Sequence, residues 1–177
     1  SVAKYIATST LEASLDVASM ANSSTKVFIL EVMGRHAGWL AASAGVIKEN
    51  KSMPPHLILL PEVIFNEKKF LQETKAIVKN YGYCVIVASE GIKNKKDQFI
   101  ASSASKDSFG HAHLGGVAPK LANIISNKLS YKVHWAVADY LQRAARHLGS
   151  SVDVKQAYAI GFKALHYAKK GVNGVML

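Results

Sequence analysis

Short apolar segments that alternate with stretches of helical spacing constrain most strongly what this chain can fold into. Residues 26–33, 57–60 and 83–88 are short and rich in branched and aromatic side chains, which is typical of buried strands. Between them, residues 37–47 are apolar and small, and residues 66–82 repeat apolar side chains at helical spacing between a capping asparagine and a closing glycine. This order predicts parallel strands joined by helical crossovers, a layered, Rossmann-like α/β fold.

The remainder of the sequence extends the same pattern. We expect helices over 3–20, 119–125 and 154–170, a fourth strand over 133–138, and a polar surface loop over 91–114. Pro119 would open the helix that it begins, and Ser151 or Asp153 would cap the last one. The final residues, 175–177, are apolar and resemble the start of a further strand. Because the sequence has no internal repeat and no low-complexity linker, we expect residues 1–177 to form one domain, part of a longer chain.

The net charge of +10, from 22 basic and 12 acidic residues, first suggests a nucleic-acid partner. Only three of the basic residues are arginines, namely Arg35, Arg143 and Arg146, and the lysines fall mostly on predicted helix faces and in loops. Aromatic side chains are not interleaved with basic ones, as they are in proteins that bind single strands. We therefore interpret most of the charge as solvated surface and expect no nucleic-acid partner.

The sequence also argues against a membrane or secreted protein. It contains no run of about 18 uncharged apolar residues, and its first residues lack the basic and apolar regions of a signal peptide. The single cysteine, Cys84, lies within an apolar segment and has no partner for an internal disulfide. We expect a cytoplasmic protein with no membrane partner.

Charged side chains follow the predicted strands. Gly34 and Arg35 follow the first strand, Glu90 the third, and Tyr140 and Arg143 the fourth. The carboxyl ends of parallel strands meet at one edge of the sheet, where open α/β folds bind ligands, so we expect these residues to converge. Arginine holds phosphate oxygens with a planar fork of donors, and a carboxylate accepts protons from hydroxyl groups. The pattern therefore predicts a site for a phosphorylated, hydroxyl-rich ligand such as a sugar phosphate.

Other candidate sites are weaker. His111 and His113 lie close together, but a zinc site needs at least one more protein ligand, and Asp107 is the only candidate nearby. We therefore expect a loop there and no metal site. His134 and His147 are interpreted as structural histidines rather than as bases.

Several motifs resemble those of the phosphofructokinase family. Residues 31–38, EVMGRHAG, look like the sugar-phosphate motif of that family, and residues 89–91, SEG, look like its second substrate strand end. Residues 132–135, KVHW, and 139–143, DYLQR, are similar to the pyrophosphate-dependent branch. The resemblance covers essentially the whole chain and implies the phosphofructokinase fold.

The resemblance also implies an activity. The family transfers a phosphoryl group to the 1-hydroxyl of fructose 6-phosphate in glycolysis, and the branch uses pyrophosphate as donor with Mg²⁺ as the metal. The product is fructose 1,6-bisphosphate, and the family's contacts between subunits imply a homo-oligomer, either a dimer or a tetramer. Two alternatives stay open, which are an ATP-dependent 6-phosphofructokinase and a non-catalytic module that binds a sugar phosphate.

Carried over residue by residue, the resemblance assigns substrate contacts to Lys26, Met33, Gly34, Arg35, Glu90, Tyr140, Leu141, Gln142 and Arg143. Residues 33–35 would contact the sugar phosphate, Glu90 its hydroxyl groups and residues 140–143 its 6-phosphate. Arg35 would also neutralise charge on the transferred group, the main electrostatic requirement of phosphoryl transfer. Lys26 matches a basic position that, in the family, reaches the substrate of a neighbouring subunit.

Two motifs of the family are absent from the sequence. These are the Gly-Gly-Asp donor and metal motif and the Lys-Thr-Ile-Asp-Asn-Asp segment that carries the catalytic aspartate. The resemblance places both upstream of Ser1. We therefore expect no catalytic residue and no metal ligand within the chain, a Mg²⁺ site in the missing part, and no activity from this chain alone.

Overall fold

A parallel four-stranded sheet lies at the centre of the structure. The structure is a computed structural model that describes residues 1–106 and 112–177, with side chains described for all of these except residues 102–106 and 112–114. The helices of the described residues are α1 (Val2–Met20), α2 (Trp39–Ser43), α3 (Glu67–Tyr81), α4 (Val117–Leu129), α5 (Leu141–Ala144) and α6 (Ser151–Lys169). The strands are β1 (Val27–Val32), β2 (Leu57–Leu59), β3 (Cys84–Ser89), β4 (Ser102–Lys106), β5 (Ala112–Leu114) and β6 (Val133–Val137). The central sheet has the order β2-β3-β1-β6 with every pair parallel, which confirms the predicted α/β fold.

Helices cover both faces of the sheet, which explains why β1 and β3 are almost continuously apolar. On one face, α3 and α4 bury an apolar stripe against the strands, formed by Phe70, Val78, Leu121 and Ile125. On the other face, α1 contributes Ile6, α2 contributes Ala41, and the 3-10 helix that follows α2 contributes Ala44. Every residue of β3 is buried, including Cys84.

The alternation of side chains along β1 decides which helices each residue meets. Val27 and Ile29 pack with α3 and α4, whereas Leu30 and Val32 pack with α1 and α2. Since successive side chains of a strand point to opposite faces, Glu31 lies on the face that α4 covers. A carboxylate is thereby placed under α4 at the carboxyl end of the central strand.

The helix α3 begins and ends where its sequence predicts. The side chain of Asn66 accepts a hydrogen bond from the backbone N–H of Lys69 at 3.1 Å, and Gly82 closes the helix with a left-handed φ of +85°. The prediction of a helix between these two residues is confirmed.

The segment expected to be a surface loop contains two strands. Within residues 91–114, β4 and β5 pair as an antiparallel ladder, and Lys93 forms an isolated bridge with Phe99. The loop prediction was wrong for these strands because β4 is serine-rich and lacks the apolar alternation of a half-buried strand, and β5, with three residues, is too short to show one.

Three further predictions about element boundaries were wrong. Helix α4 begins two residues before Pro119, after Gly116 in the left-handed region, and extends to Leu129. The N-cap of α6 is Ser150, rather than Ser151 or Asp153. Residues 175–177 form no strand in the part of the chain that the structure describes.

Helix α6 differs from the other long helices because none of its residues is buried. Its exposed side chains include large apolar ones, among them Tyr158, Phe162 and Leu165. Among the described residues, no helix has the length and the apolar character needed to cross a membrane.

Candidate functional site

The carboxyl ends of β1, β3 and β6 enclose a cleft of about 280 Å³. Val32 pairs with Ser89, and Glu31 pairs with Val137, so the segments that follow these strands leave the sheet side by side. The cleft is lined by Glu31, Val32, Met33, Glu90, Gly115, Val137, Asp139 and Tyr140. The predicted convergence of the strand ends is therefore observed, and it is the parallel order of the sheet that produces it.

The structure places the predicted site residues at different distances from this cleft. Met33, Glu90 and Tyr140 line it, and Gly34 and Gln142 are hydrogen-bonded to its walls. Arg35 directly follows Gly34 and is half-buried, and Arg143 is exposed beside Tyr140. Leu141 is exposed and lines a different cavity, between α1 and α5, so the structure does not bring it to the cleft.

Close backbone approach joins the ends of β1 and β3. The backbone N–H of Gly34 donates to Oε1 of Glu90 at 3.2 Å, and the hydroxyl of Ser89 donates to the carbonyl of Gly34 at 2.5 Å. Gly34 has a φ of +142°, and a Cβ there would lie 2.6 Å from the carbonyl oxygen of Ala37. A Cβ on Gly91 would overlap the carbonyl oxygen of Arg35. Both positions therefore require glycine, which holds Glu90 against the backbone of the first strand end.

Gln142 joins the ends of β1 and β6. Its side chain is 1% exposed, its Oε1 accepts from the backbone N–H of Met33 at 3.3 Å, and its Nε2 donates to the carbonyl of Asp139 at 2.7 Å. Both ends of the amide are thus engaged by the protein. The structure gives Gln142 a supporting position, whereas its predicted contact with substrate stays a prediction.

The exposed rim of the cleft carries an aromatic ring stacked with an arginine. The Cζ atom of Arg143 lies 4.2 Å from the centroid of the Tyr140 ring, which is 61% exposed. Such a stack restricts the guanidinium to one plane while leaving its N–H groups free to bind. The preceding residue, Asp139, has a φ of +40°, an uncommon backbone conformation that recurs at functional sites.

Glu31 is the most deeply buried acid of the cleft. It is 1% exposed, its Oε1 accepts from the N–H of Gly116 at 3.1 Å, and its Oε2 accepts from the N–H of Ala118 at 2.8 Å. Burial raises its pKa, the backbone hydrogen bonds of Ala118 and Gly116 oppose that rise, and the negative charge of Glu90 adds to it. In the sequence Glu31 stands out only as part of the motif of residues 31–38, because its position depends on a helix that begins 86 residues later.

Lys26 lies at the amino end of β1, opposite the cleft. It precedes β1, its Nζ donates to the carbonyl of Ala21, and Lys132 beside it donates from Nζ to the hydroxyl of Ser24 at 2.9 Å. The structure does not bring Lys26 to the cleft of its own chain. Its predicted contact with the substrate of a neighbouring subunit stays a prediction.

The remaining candidates are not part of the cleft. Burial raises the pKa of Cys84, which makes its thiol inert. His134 and His147 are exposed and do not line the cleft, and their interpretation as structural histidines rather than bases stays a prediction. His111 and Asp107 of the weak metal candidate lie outside the described residues.

The half-buried histidine His56 was not predicted from the sequence. His56 packs between Tyr81 and Tyr83, its Nδ1 accepts from the N–H of Val85 at 3.0 Å, and burial lowers its pKa to about 4. It lies at the edge strand β2 and not at the cleft. No local signal distinguishes it in sequence, because its environment comes from β3 and the end of α3.

Comparison with known proteins connects this geometry with a family. The family model described as "PFK: Phosphofructokinase" matches residues 7–168. A protein of Halomonas elongata named pyrophosphate–fructose 6-phosphate 1-phosphotransferase is 58% identical over 176 residues, which cover 99% of this chain and 42% of that protein. A protein of Methylococcus capsulatus with the same name is 54% identical, with the same coverage.

A solved structure shows the same fold. The crystal structure of a pyrophosphate-dependent phosphofructokinase from Marinobacter aquaeolei superimposes with a TM-score of 0.79 at 55% identity, covering 97% of this chain and 39% of that one. The chain thus spans about two fifths of the length of these relatives.

Proposed function

Since the chain belongs to the phosphofructokinase family, we propose that it forms the sugar-phosphate-binding part of an enzyme that transfers a phosphoryl group from pyrophosphate to fructose 6-phosphate. The acceptor is the 1-hydroxyl, and the products are fructose 1,6-bisphosphate and the inorganic phosphate that leaves when the P–O–P bond of pyrophosphate breaks. The observation that carries the proposal is the cleft at the carboxyl ends of β1, β3 and β6, with acids inside and an arginine stacked at its rim.

The two chemical halves of a sugar phosphate suit the two parts of this site. The guanidinium of Arg143, held on the ring of Tyr140, offers paired donors to the 6-phosphate. Glu90 and Asp139, which line the cleft, offer oxygens that accept hydrogen bonds from the sugar hydroxyl groups. A phosphorylated polyol satisfies both parts at once, whereas an apolar ligand would leave the carboxylates without partners.

The backbone around Gly34 positions the reacting end of the sugar. The hydrogen bond from Gly34 to Glu90 fixes the carboxylate, and the glycine allows a ligand to approach the main chain. Arg35 follows at the rim, where its charge would partly neutralise the transferred phosphoryl group. The chain therefore orients the acceptor and supplies positive charge, and it contains no proposed general base.

The donor and the metal belong, in this proposal, to the part of the family's chain that this sequence does not span. Among the described residues, no group of three or more His, Cys, Asp or Glu side chains is arranged to hold a metal ion. Lys26, at the amino end of β1, would reach the site of a neighbouring subunit in a cytoplasmic dimer or tetramer.

The experiment that tests the proposal is a coupled assay for fructose 1,6-bisphosphate with the full-length enzyme and each donor in turn. We expect turnover with pyrophosphate and none above background with ATP. Turnover with ATP alone would favour the ATP-dependent alternative. Binding of fructose 6-phosphate without turnover with either donor would favour a non-catalytic module.

A further inference from the structure

A buried carboxylate occupies the N-terminus of α4, at the wall of the cleft. The two oxygens of Glu31 each accept one backbone N–H where the helix begins, from the N-cap residue Gly116 at 3.1 Å and from Ala118 at 2.8 Å. The helix has no side-chain cap of its own and no acidic residue in its first turn. Without Glu31, the free N–H groups of this 13-residue helix would present a positive end to any anion in the cleft.

The cleft therefore has two places where a phosphate could be held. One is the end of α4, because Gly115, directly before the helix, lines the cleft together with Glu31. The other is the rim, where Tyr140 lines the same cleft and carries the guanidinium of Arg143. A sugar phosphate that could use either place would bind in two orientations, and only one of them can present the acceptor hydroxyl correctly.

We propose that Glu31 is a positioning residue that fills the N-terminus of α4 and thereby directs the phosphate of the sugar to the Tyr140–Arg143 side of the cleft. The inference rests on the proposed function and adds to it the element that selects the orientation of the sugar phosphate. Glu31 acts through α4 in two ways. Its charge repels a phosphate from the helix end, and its hydrogen bonds leave the N–H groups of Gly116 and Ala118 unavailable to a ligand.

The test compares three variants of the full-length enzyme in steady-state kinetics at saturating pyrophosphate. Glu31→Gln keeps the shape of the side chain but removes its charge, and Glu31→Asp keeps the charge on a shorter side chain. Glu62→Gln is the matched control, because Glu62 accepts the N–H of Gly38 at 2.7 Å before the short helix α2 and does not line the cleft. Inorganic phosphate is the probe of a new anion site. It is also a product of the proposed reaction, so saturating pyrophosphate is used to keep it from the donor site, and its inhibition is analysed against fructose 6-phosphate.

For Glu31→Gln we expect inorganic phosphate to compete with fructose 6-phosphate with a Ki roughly fivefold lower than in the wild type, the effect of one charge at a helix end. The KM for fructose 6-phosphate should rise by a similar factor while the KM for pyrophosphate stays the same. Glu31→Asp should inhibit like the wild type, and so should Glu62→Gln.

Unchanged phosphate inhibition and unchanged KM in Glu31→Gln would overturn the proposal, and so would equal changes in Glu62→Gln. A lower melting temperature with both KM values unchanged would show a merely structural role and would overturn it as well. If the wild-type enzyme does not turn over at all, the proposed function fails. Calorimetric titration of inorganic phosphate into the wild type and Glu31→Gln then still decides the role of Glu31, because stronger binding to the variant supports it and equal binding overturns it.

Discussion

The guanidinium of Arg143 lies over the ring of Tyr140, with 4.2 Å between Cζ and the ring centroid. Both side chains are exposed at the rim of the cleft, so the stack is the main restraint on the orientation of the arginine. A guanidinium held in one plane loses less conformational freedom when it binds a phosphate than one that moves freely.

The stack predicts that two substitutions of Tyr140 change the KM for fructose 6-phosphate to different extents. Tyr140→Phe keeps the ring and should change the KM for fructose 6-phosphate by less than about twofold, whereas Tyr140→Ala removes the stack and should raise it roughly fivefold. Steady-state kinetics of the full-length enzyme measure both. If both variants raised the KM for fructose 6-phosphate by the same factor, the hydroxyl and not the ring would be responsible.

The amide of Gln142 should contribute to both stability and substrate binding. Gln142→Leu leaves the N–H of Met33 and the carbonyl of Asp139 without their partner, so we expect the free energy of unfolding to fall by about 1 to 3 kcal/mol. Urea unfolding measures this. Gln156→Leu on the exposed helix α6 is the matched control and should have little effect. A stability equal to that of the wild type in Gln142→Leu would contradict the role given to this amide.

The glycine after Glu90 should not tolerate even one added carbon atom. Gly91→Ala would push a methyl group into the carbonyl oxygen of Arg35 and force the ends of β1 and β3 apart. We expect loss of fructose 6-phosphate binding together with a clear fall in melting temperature. Gly161→Ala in α6, where a Cβ meets nothing within 4 Å, should instead raise stability by about 0.5 to 1 kcal/mol. Equal behaviour of the two variants would refute the close approach.

Stability should depend on pH through His56. Its pKa is about 4 in the folded chain, whereas the ordinary value is 6.5. Burial lowers the pKa most because it disfavours the charged ring, and the charge of Lys48 lowers it further, while a hydrogen bond with the backbone of Ser52 raises it. As the pH falls, the unfolded chain therefore binds a proton on this ring before the folded chain does. The contribution is fully present above pH 6.5 and is lost as the pH falls towards 4.

The full separation of these two values corresponds to at most about 3 kcal/mol, and the partial exposure of the ring reduces it to about 1 to 2 kcal/mol. Urea unfolding between pH 7 and pH 4 measures it in the wild type and in His56→Asn, which keeps an acceptor for the N–H of Val85. The carboxyl groups titrate in both proteins, so subtracting the His56→Asn profile from the wild-type profile removes their contribution to the free energy of unfolding. A difference that does not change over this pH range would rule out His56 as the cause.

The sequence predicted those parts of the fold that local patterns determine. The strands β1 and β3 are marked by apolar runs, and α3 is marked by its cap at Asn66 and its stop at Gly82. The parallel arrangement followed from the alternation of elements, and with it the edge at which the site lies. The strand order was not predicted, because pairing between distant segments leaves no local signal.

The remaining features depend on contacts that are distant in sequence. The two bonds of Glu31 to the start of α4 require the register of β1 against that helix, and the bridge of Gln142 to Met33 spans 109 residues. The motif assigned Gln142 to the ligand and gave Glu31 no role, whereas the structure shows the polar atoms of both side chains engaged by the backbone. The exposure of α6 likewise could not be predicted, because its composition is that of a packed helix.

Calorimetric titration of fructose 6-phosphate, without a phosphoryl donor, tests most directly whether the cleft is a sugar-phosphate site. Arg143→Ala removes the guanidinium at the rim of the cleft, and Arg146→Ala is the matched control, since Arg146 lines the separate cavity between α1 and α5. We predict binding to the wild type and to Arg146→Ala, and an affinity at least about tenfold weaker in Arg143→Ala. Equal affinity of all three proteins would contradict the account.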